Sequence, residues 1–261
     1  MILMEFDLSQ AEARAVAWYC GDEGLKAGFK QEIDVHSQRA AMIFGYTYED
    51  FHNTYKSDDK HFHDLRFLAK IIVHAVNYDA SARTVNSTLK THGVYKKESE
   101  VKVLVAQIHE AFPGIRQYQW AVQNQLKTNR ILTTAKGMRR YFYSKLDNNT
   151  FRRAYAFLPQ CTIAEITNDG IIDSRYQIES LTEGQRGPLL GGFILLQVHD
   201  SILIEVPRKH MEEAYSVIVT NLMRPITIYP FFGEPDDLVI PVTCKVGSHW
   251  GELKEWKPIG S

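Results

Sequence analysis

The chain has 261 residues, 44% of them hydrophobic, enough to bury a large core and too apolar for a disordered tail. Its formal net charge is −1, yet Lys56 to Arg153 holds about 18 Lys and Arg against about 8 Asp and Glu, so a basic middle is balanced by acidic flanks. The longest apolar run, Pro188 to Val198, is about half of the roughly 20 residues a membrane span needs, no basic-then-apolar leader opens the chain, and Cys20, Cys161 and Cys244 are spaced for neither a disulfide framework nor a zinc knuckle. A soluble intracellular protein with reduced thiols and no membrane association is expected.

Ile2 to Leu8 reads as a short strand containing Asp7, followed by Ser9-Gln10-Ala11-Glu12, a capping-box pattern for a helix through Tyr19 that stops at Gly21. Asp34 to Phe44, Asp58 to Tyr78, Glu98 to Phe112 and Ile115 to Thr128 read as helices, with Pro113-Gly114 breaking between the last two. Ile131 to Tyr143 reads as a hairpin around Lys136-Gly137, and Tyr155 to Ile172 as a helix despite Pro159. Phe193 to Val206 is a second hairpin turning at His199-Asp200-Ser201, followed by a helix over Arg208 to Leu222 and a strand over Val239 to Val246. The order of elements points to an α+β fold rather than alternating βαβ units. No repeat or low-complexity linker interrupts it.

Asp7 and Asp200 therefore sit at the ends of apolar strands. Carboxylates there are candidate ligands for hard cations such as magnesium, and paired metals about 3.5–4 Å apart can hold the attacking and leaving oxygens of a phosphoryl displacement. The competing interpretation is an ordinary turn or cap aspartate. Between them, Arg66, Lys70, His74 and Tyr78 recur every fourth residue and share one helix face, a pattern that could grip a triphosphate with the cations and pack on base and sugar with the rings. The alternative is an amphipathic helix with a chance cationic stripe opposite Leu65, Leu68, Ile72 and Val76. The basic middle suits a phosphate track, although solvated helix faces would account for part of it. His61-Phe62-His63 lacks further ligands at zinc spacing.

These residues also resemble a known family. Asp7-Leu8-Ser9-Gln10-Ala11-Glu12-Ala13-Arg14 is similar to the first catalytic motif of family A DNA polymerases, the bacterial DNA polymerase I family. Arg66-x3-Lys70-x3-His74-x3-Tyr78 resembles its fingers-helix motif, and Gln197-Val198-His199-Asp200 its last catalytic motif. Asp34-Val35-His36-Ser37, Phe112-Pro113-Gly114, Gly137-Met138-Arg139-Arg140-Tyr141, Gln160-Cys161-Thr162-Ile163-Ala164-Glu165 and Gly247-Ser248-His249-Trp250-Gly251-Glu252 match in order, so that the resemblance covers Ile2 to Glu252. It implies a right-hand palm, an antiparallel sheet with helices, over 1–55 and 154–261, with helical fingers over 56–153.

The resemblance implies roles residue by residue. Asp7 and Asp200 would bind two Mg2+, with Mn2+ able to substitute. Arg66 and Lys70 would hold the dNTP triphosphate, and Lys70 would also be a proton donor to the leaving pyrophosphate. His74 and Tyr78 would pack near the sugar and the nascent base pair. Glu12 would exclude a ribose 2′-hydroxyl, Gln10 and His199 would sit at the primer terminus, and Gln160 and Arg139 would contact the primer–template DNA. The reaction expected is transfer of a deoxynucleotide to a primer 3′-hydroxyl, in the cytoplasm of a bacterial cell, or of a host cell for a viral chain.

Four departures qualify this. His74 stands where the family has Phe or Tyr, Asp79 where glycine usually follows the tyrosine, and Ser201 where glutamate follows the last aspartate. The first motif begins within ten residues of Met1, whereas the family carries a thumb, part of the palm and often an exonuclease ahead of it. The expectation is that a second polypeptide supplies thumb and remaining palm, and that Ile2 to Leu8 forms an unpaired sheet edge. Two rival interpretations stand beside this one: a phage-type single-subunit RNA polymerase fragment, favoured by His199-Asp200-Ser201 and opposed by Glu12, and a catalytically idle polymerase-fold subunit that binds nucleic acid.

Overall fold

The computed structural model describes residues 1–31, 33–179 and 191–258; Pro188 to Leu190, at the start of the longest apolar run, lie outside them. The chain forms two compact units, one made of 1–15, 160–228 and 237–261, the other of 16–159 and 229–236. In chain order the elements are β1 (Ile2–Leu8), α1 (Ala11–Cys20), α2 (Glu23–Lys30), α3 (Val35–Phe44), α4 (Tyr48–Lys56), α5 (Lys60–Asn77), α6 (Ala82–Thr91), α7 (Glu98–Ala111) and α8 (Pro113–Asn129). There follow β2 (Ile131–Thr133), β3 (Arg139–Tyr141), α9 (Asn148–Ile178), β4 (Phe193–Val198), β5 (Ser201–Val206), α10 (Met211–Leu222), β6 (Ile226–Ile228), β7 (Asp236–Leu238), β8 (Val242–Gly247) and β9 (Lys254–Glu255). The α+β class expected from the sequence is the one found. Among the described residues no helix is long and apolar enough to cross a membrane.

The first unit is built on an antiparallel sheet in the order β4-β5-β1-β8-β9. β1 alternates strictly, with Ile2, Met4, Phe6 and Leu8 buried and Leu3, Glu5 and Asp7 on the other face, because successive strand residues point to opposite sides. The register stacks Met4 on Ile204 and Phe6 on Ile202, so one face is a continuous apolar core, and the Phe6 ring meets Tyr215 of α10. The expected unpaired edge at Ile2 to Leu8 is not found: β5 and β8 flank β1 on both sides. The long edge strand is β4, which exposes Phe193, Leu195, Leu196 and Val198 and carries an irregularity between Ile194 and Leu196. The last long strand also starts later than its apolar run suggested, at Val242 rather than Val239, after Pro241, which has no N–H for a ladder.

The second unit is helical, with the β2–β3 hairpin inside it. Its helix starts are written in side chains: Asp22, Asp34, Thr47, Asp59 and Ser81 each accept a main-chain N–H of the turn they cap, replacing bonds that a helix start lacks. Asp22 does this twice, for Leu25 N at 3.1 Å and for Gly114 N at the start of α8 at 2.9 Å. A Cβ on Gly114 would lie 2.6 Å from the Asp22 Cβ, so glycine follows Pro113 because the two helix starts touch. α5 buries Leu68, Ala69, Ile72, Val73 and Val76 along one stripe, leaving its other side for polar groups.

α9 runs through Pro159, further in both directions than the sequence suggested. Proline has no N–H, so the Tyr155 carbonyl loses its ordinary helical donor. The buried Tyr118 hydroxyl of α8 takes that place, donating to the Tyr155 carbonyl at 2.7 Å. Two sequence-distant helices are thereby joined at the point where the proline would leave a buried acceptor unpaired.

Candidate functional site

Of the expected site residues, Asp7, Gln10, Glu12, Gln160, His199 and Asp200 belong to the first unit, and Arg66, Lys70, His74, Tyr78 and Arg139 to the second. In the first unit Asp7 ends the open face of β1, directly opposite Ser201 in the ladder, and Leu8 N donates to the Asp200 carbonyl at 3.2 Å. The two aspartates are thus on adjoining strand ends. Asp200 follows His199, whose φ of 56° is left-handed, and the Ser201 hydroxyl closes the turn on the Val198 carbonyl at 2.9 Å. The Asp7 carboxyl is pushed above its ordinary range, first by burial and then by the charge of Asp200, with Lys245 pulling the other way and Glu5 adding to the rise.

Glu12, Gln160, Ile163, Ala164, His199 and Asp200 line a cleft of about 510 Å³. Gln160 Nε2 donates to Glu12 Oε1 at 2.9 Å, joining two residues that were given separate roles. The capping box expected at Ser9 to Glu12 is not the arrangement found, because Ser9 N donates to the Pro241 carbonyl while Glu12 turns to Gln160. Gln10 is held at a φ of 53°, and its buried Oε1 has no hydrogen-bond partner. Gln10 thus combines a left-handed backbone with an orphaned buried acceptor, two features that are costly for stability.

Among the described residues no group of three or more His, Cys, Asp or Glu converges as a metal cage. The donor set is two carboxylates. That suits magnesium, which keeps waters and is commonly bound by one or two carboxylates together with substrate phosphates, and a cation there would relieve the repulsion that raises Asp7.

In the second unit, Lys70 and His74 are exposed on α5, and the His74 ring meets Tyr78 edge-on at 5.4 Å and 86°. Arg66 is engaged: its Nε and Nη2 donate to both Asp34 oxygens at 2.8 and 2.9 Å, and its guanidinium lies over the Tyr55 ring at 4.9 Å. Burial would raise the Asp34 carboxyl, but the hydrogen bonds from Arg66 and Ser37 and the Arg66 charge outweigh it and hold the group at about 2. His36, to which sequence reasoning assigned no role, faces the same cluster. Burial and the charges of Arg39, Arg66 and Lys70 push it down to about 4, and its Nδ1 is buried without a partner. The sequence signal was its place in the Asp34-Val35-His36-Ser37 match, two residues after the capping Asp34.

Asp79 adopts a φ of 55°, which explains why glycine suits the position after Tyr78. Here the aspartate is held by Arg116 Nη1 at 2.8 Å, while Arg152 Nε donates to its carbonyl at 3.1 Å. Gln119 Nε2 then donates to the Val76 and Asn77 carbonyls at the end of α5. Arg139 is exposed on β3.

A family model described as DNA polymerase family A matches residues 1–252. The chain is 28% identical to the thermostable DNA polymerase I of Thermus filiformis over 97% of its own length and 27% of the relative's, and 29% identical to the Chloroflexus aurantiacus DNA polymerase I over 95% and 24%. It spans about a quarter of the length of the curated relatives it matches. Among solved structures, the polymerase domain of Pol1 from M. smegmatis, in complex with DNA primer-template and dNTP, superposes with a TM-score of 0.75 at 23% identity, over 96% of this chain and 40% of that one. With nearly its whole length matched in both sequence and fold, the chain belongs to DNA polymerase family A.

Proposed function

We propose that this chain is the palm and fingers part of a template-directed DNA polymerase, transferring a deoxynucleotide from dNTP to a primer 3′-hydroxyl. The observation that carries the reading is the pairing of Asp7 and Asp200 at adjoining strand ends, with Asp200 on the cleft that also holds Glu12, Gln160 and His199. The M. smegmatis domain's complex with primer-template and dNTP supports the same ligands here. The palm would be 1–55 and 154–261 and the fingers 56–153.

Asp7 and Asp200 would hold two magnesium ions, or manganese in their place, which when bound stabilise negative charge on the attacking and leaving oxygens. Glu12, fixed by Gln160, would stand against a ribose 2′-hydroxyl, and His199 and Gln10 would position the primer end. Lys70 would neutralise the triphosphate and protonate the leaving pyrophosphate, with the His74–Tyr78 pair packing on sugar and base. Arg66 would exchange Asp34 for phosphate, a swap between two acceptors of the same forked geometry, and His36 lies in the same cationic group. Gln160 and Arg139 would contact the primer–template duplex without reading its sequence.

Activity would require a second polypeptide carrying thumb and remaining palm. The observation that supports this is β4, an edge strand with exposed apolar side chains to which a further strand could pair. Reaction would take place in the cytoplasm.

Extension of a primed template with magnesium, with and without a candidate second polypeptide, tests the reading. Deoxynucleotide incorporation is expected on complementation, and Glu12→Ala should admit ribonucleotides. Ribonucleotide preference by the unsubstituted chain would point instead to an RNA polymerase, whose last motif shares His199-Asp200-Ser201. Absence of extension under every complementation would leave an idle nucleic-acid-binding subunit.

A further inference from the structure

The β2–β3 hairpin and the segment after it carry an aromatic feature that the site above does not use. Tyr141 and Tyr143 point to the same side of an extended segment while Phe142 between them is buried, and their rings are parallel within 5° at a centroid distance of 5.8 Å. Tyr143 is 83% exposed, yet the chain on either side of it is fixed. Phe142 packs edge-on against Phe157, and Arg130 Nη1 donates to the Phe142 and Ser144 carbonyls at 3.3 and 2.8 Å. The exposed ring therefore stands on an anchored backbone, so that little main-chain entropy remains to be lost when something settles on it.

The surrounding charge identifies what would settle there. From Glu110 to Asp147 no acidic residue intervenes, while seven Lys and Arg do, among them Arg139 and Lys145, which flank the tyrosines in the chain; the Arg140 guanidinium lies instead over the Phe142 and Phe157 rings. Flat π-faces beside cations suit a nucleotide, with its base on the ring and its phosphate on the cations. Inside a duplex the base faces are already stacked, so the ligand must present an unpaired base. We infer that the outer face of Tyr143, backed by Tyr141, is a stacking site for an unpaired base of single-stranded DNA, such as a template overhang; this rests on the DNA-polymerase reading given above.

The test measures binding of two probes by the whole chain: a duplex with a single-stranded overhang carrying 2-aminopurine, whose fluorescence is quenched on stacking, and the same duplex with blunt ends. Tyr143→Ala should weaken overhang binding by about 5-fold or more and relieve the quenching, while Tyr143→Phe behaves as wild type, since stacking needs the ring and not the hydroxyl. Affinity for the blunt duplex should be unchanged by either substitution. Equal overhang affinity and quenching in Tyr143→Ala and wild type would overturn the inference while leaving the polymerase reading intact. An equal loss on both probes would also overturn it, showing a general effect rather than an unpaired-base site. Failure of the wild type to bind either DNA, both alone and with the complementing polypeptide, would refute the polymerase reading and this inference with it.

Discussion

Replacing Tyr118 by phenylalanine removes one oxygen from the interior of the helical unit and leaves the ring in place. That oxygen is the donor to the Tyr155 carbonyl, which Pro159 cannot serve, and both tyrosines are buried. Leaving a buried carbonyl unpaired costs about 1–3 kcal/mol, and that loss is expected for Tyr118→Phe in urea unfolding followed by circular dichroism, seen as a lower midpoint at unchanged slope. A second substitution gives a sharper test. Pro159→Ala restores an N–H four residues beyond Tyr155, so in that background Tyr118→Phe should cost less than about 1 kcal/mol, giving a clear coupling energy in the double-mutant cycle. An equal cost of Tyr118→Phe in both backgrounds would refute the compensation, since the hydroxyl would then matter for some other reason.

Three further sites carry expected outcomes. Asp34→Ala removes the cap of α3 together with the forked partner of Arg66, and should lower stability by about 2–4 kcal/mol at neutral pH, measured by urea unfolding. Because the folded Asp34 is held at about 2 against an ordinary 3.8, its contribution is present above 3.8 and disappears as pH falls towards 2, so the gap between wild type and variant should narrow on acidification. Gly21→Ala should cost at least about 2 kcal/mol in thermal unfolding, since Gly21 has a φ of +62° and a Cβ there would sit 2.2 Å from the Phe232 carbonyl oxygen. His36 is held at about 4 against an ordinary 6.5, so the unfolded chain takes up a proton that the folded one refuses; stability should fall as pH drops from 6.5 to 4, and His36→Gln should flatten that slope.

What could be read from the sequence depended on whether the information was local. β1, the β4–β5 hairpin and α5 have unambiguous periods, and their boundaries agree with the structure within a residue or two. α2, α4 and α6 went unrecognised because each is only eight to ten residues long and is announced by a single capping side chain. Helices that short depend on tertiary packing, which a local pattern does not contain. The expected edge at β1 failed for a related reason: its neighbours arrive about 200 residues later in β5 and about 240 later in β8, and nothing near Ile2 announces them.

The site divides in the same way. Asp7, Glu12, Asp200 and the α5 face were legible as motif residues, whereas the Gln160–Glu12 bond joins positions 148 apart and the Arg66–Asp34 fork positions 32 apart. The cost of aspartate after Tyr78 was visible only as a departure from glycine. Arg116 and Arg152, which hold that aspartate, come from α8 and α9.

The most direct measurement is single-nucleotide extension of a primed DNA as magnesium is titrated, under conditions where the unsubstituted chain is active, comparing it with Asp7→Asn and Asp200→Asn. Each substitution is expected to lower the rate by orders of magnitude while DNA binding is retained, and the double substitution to be little worse than either alone, because the acids act on one metal pair. Extension at the unsubstituted rate by the doubly substituted chain would contradict the assignment of Asp7 and Asp200.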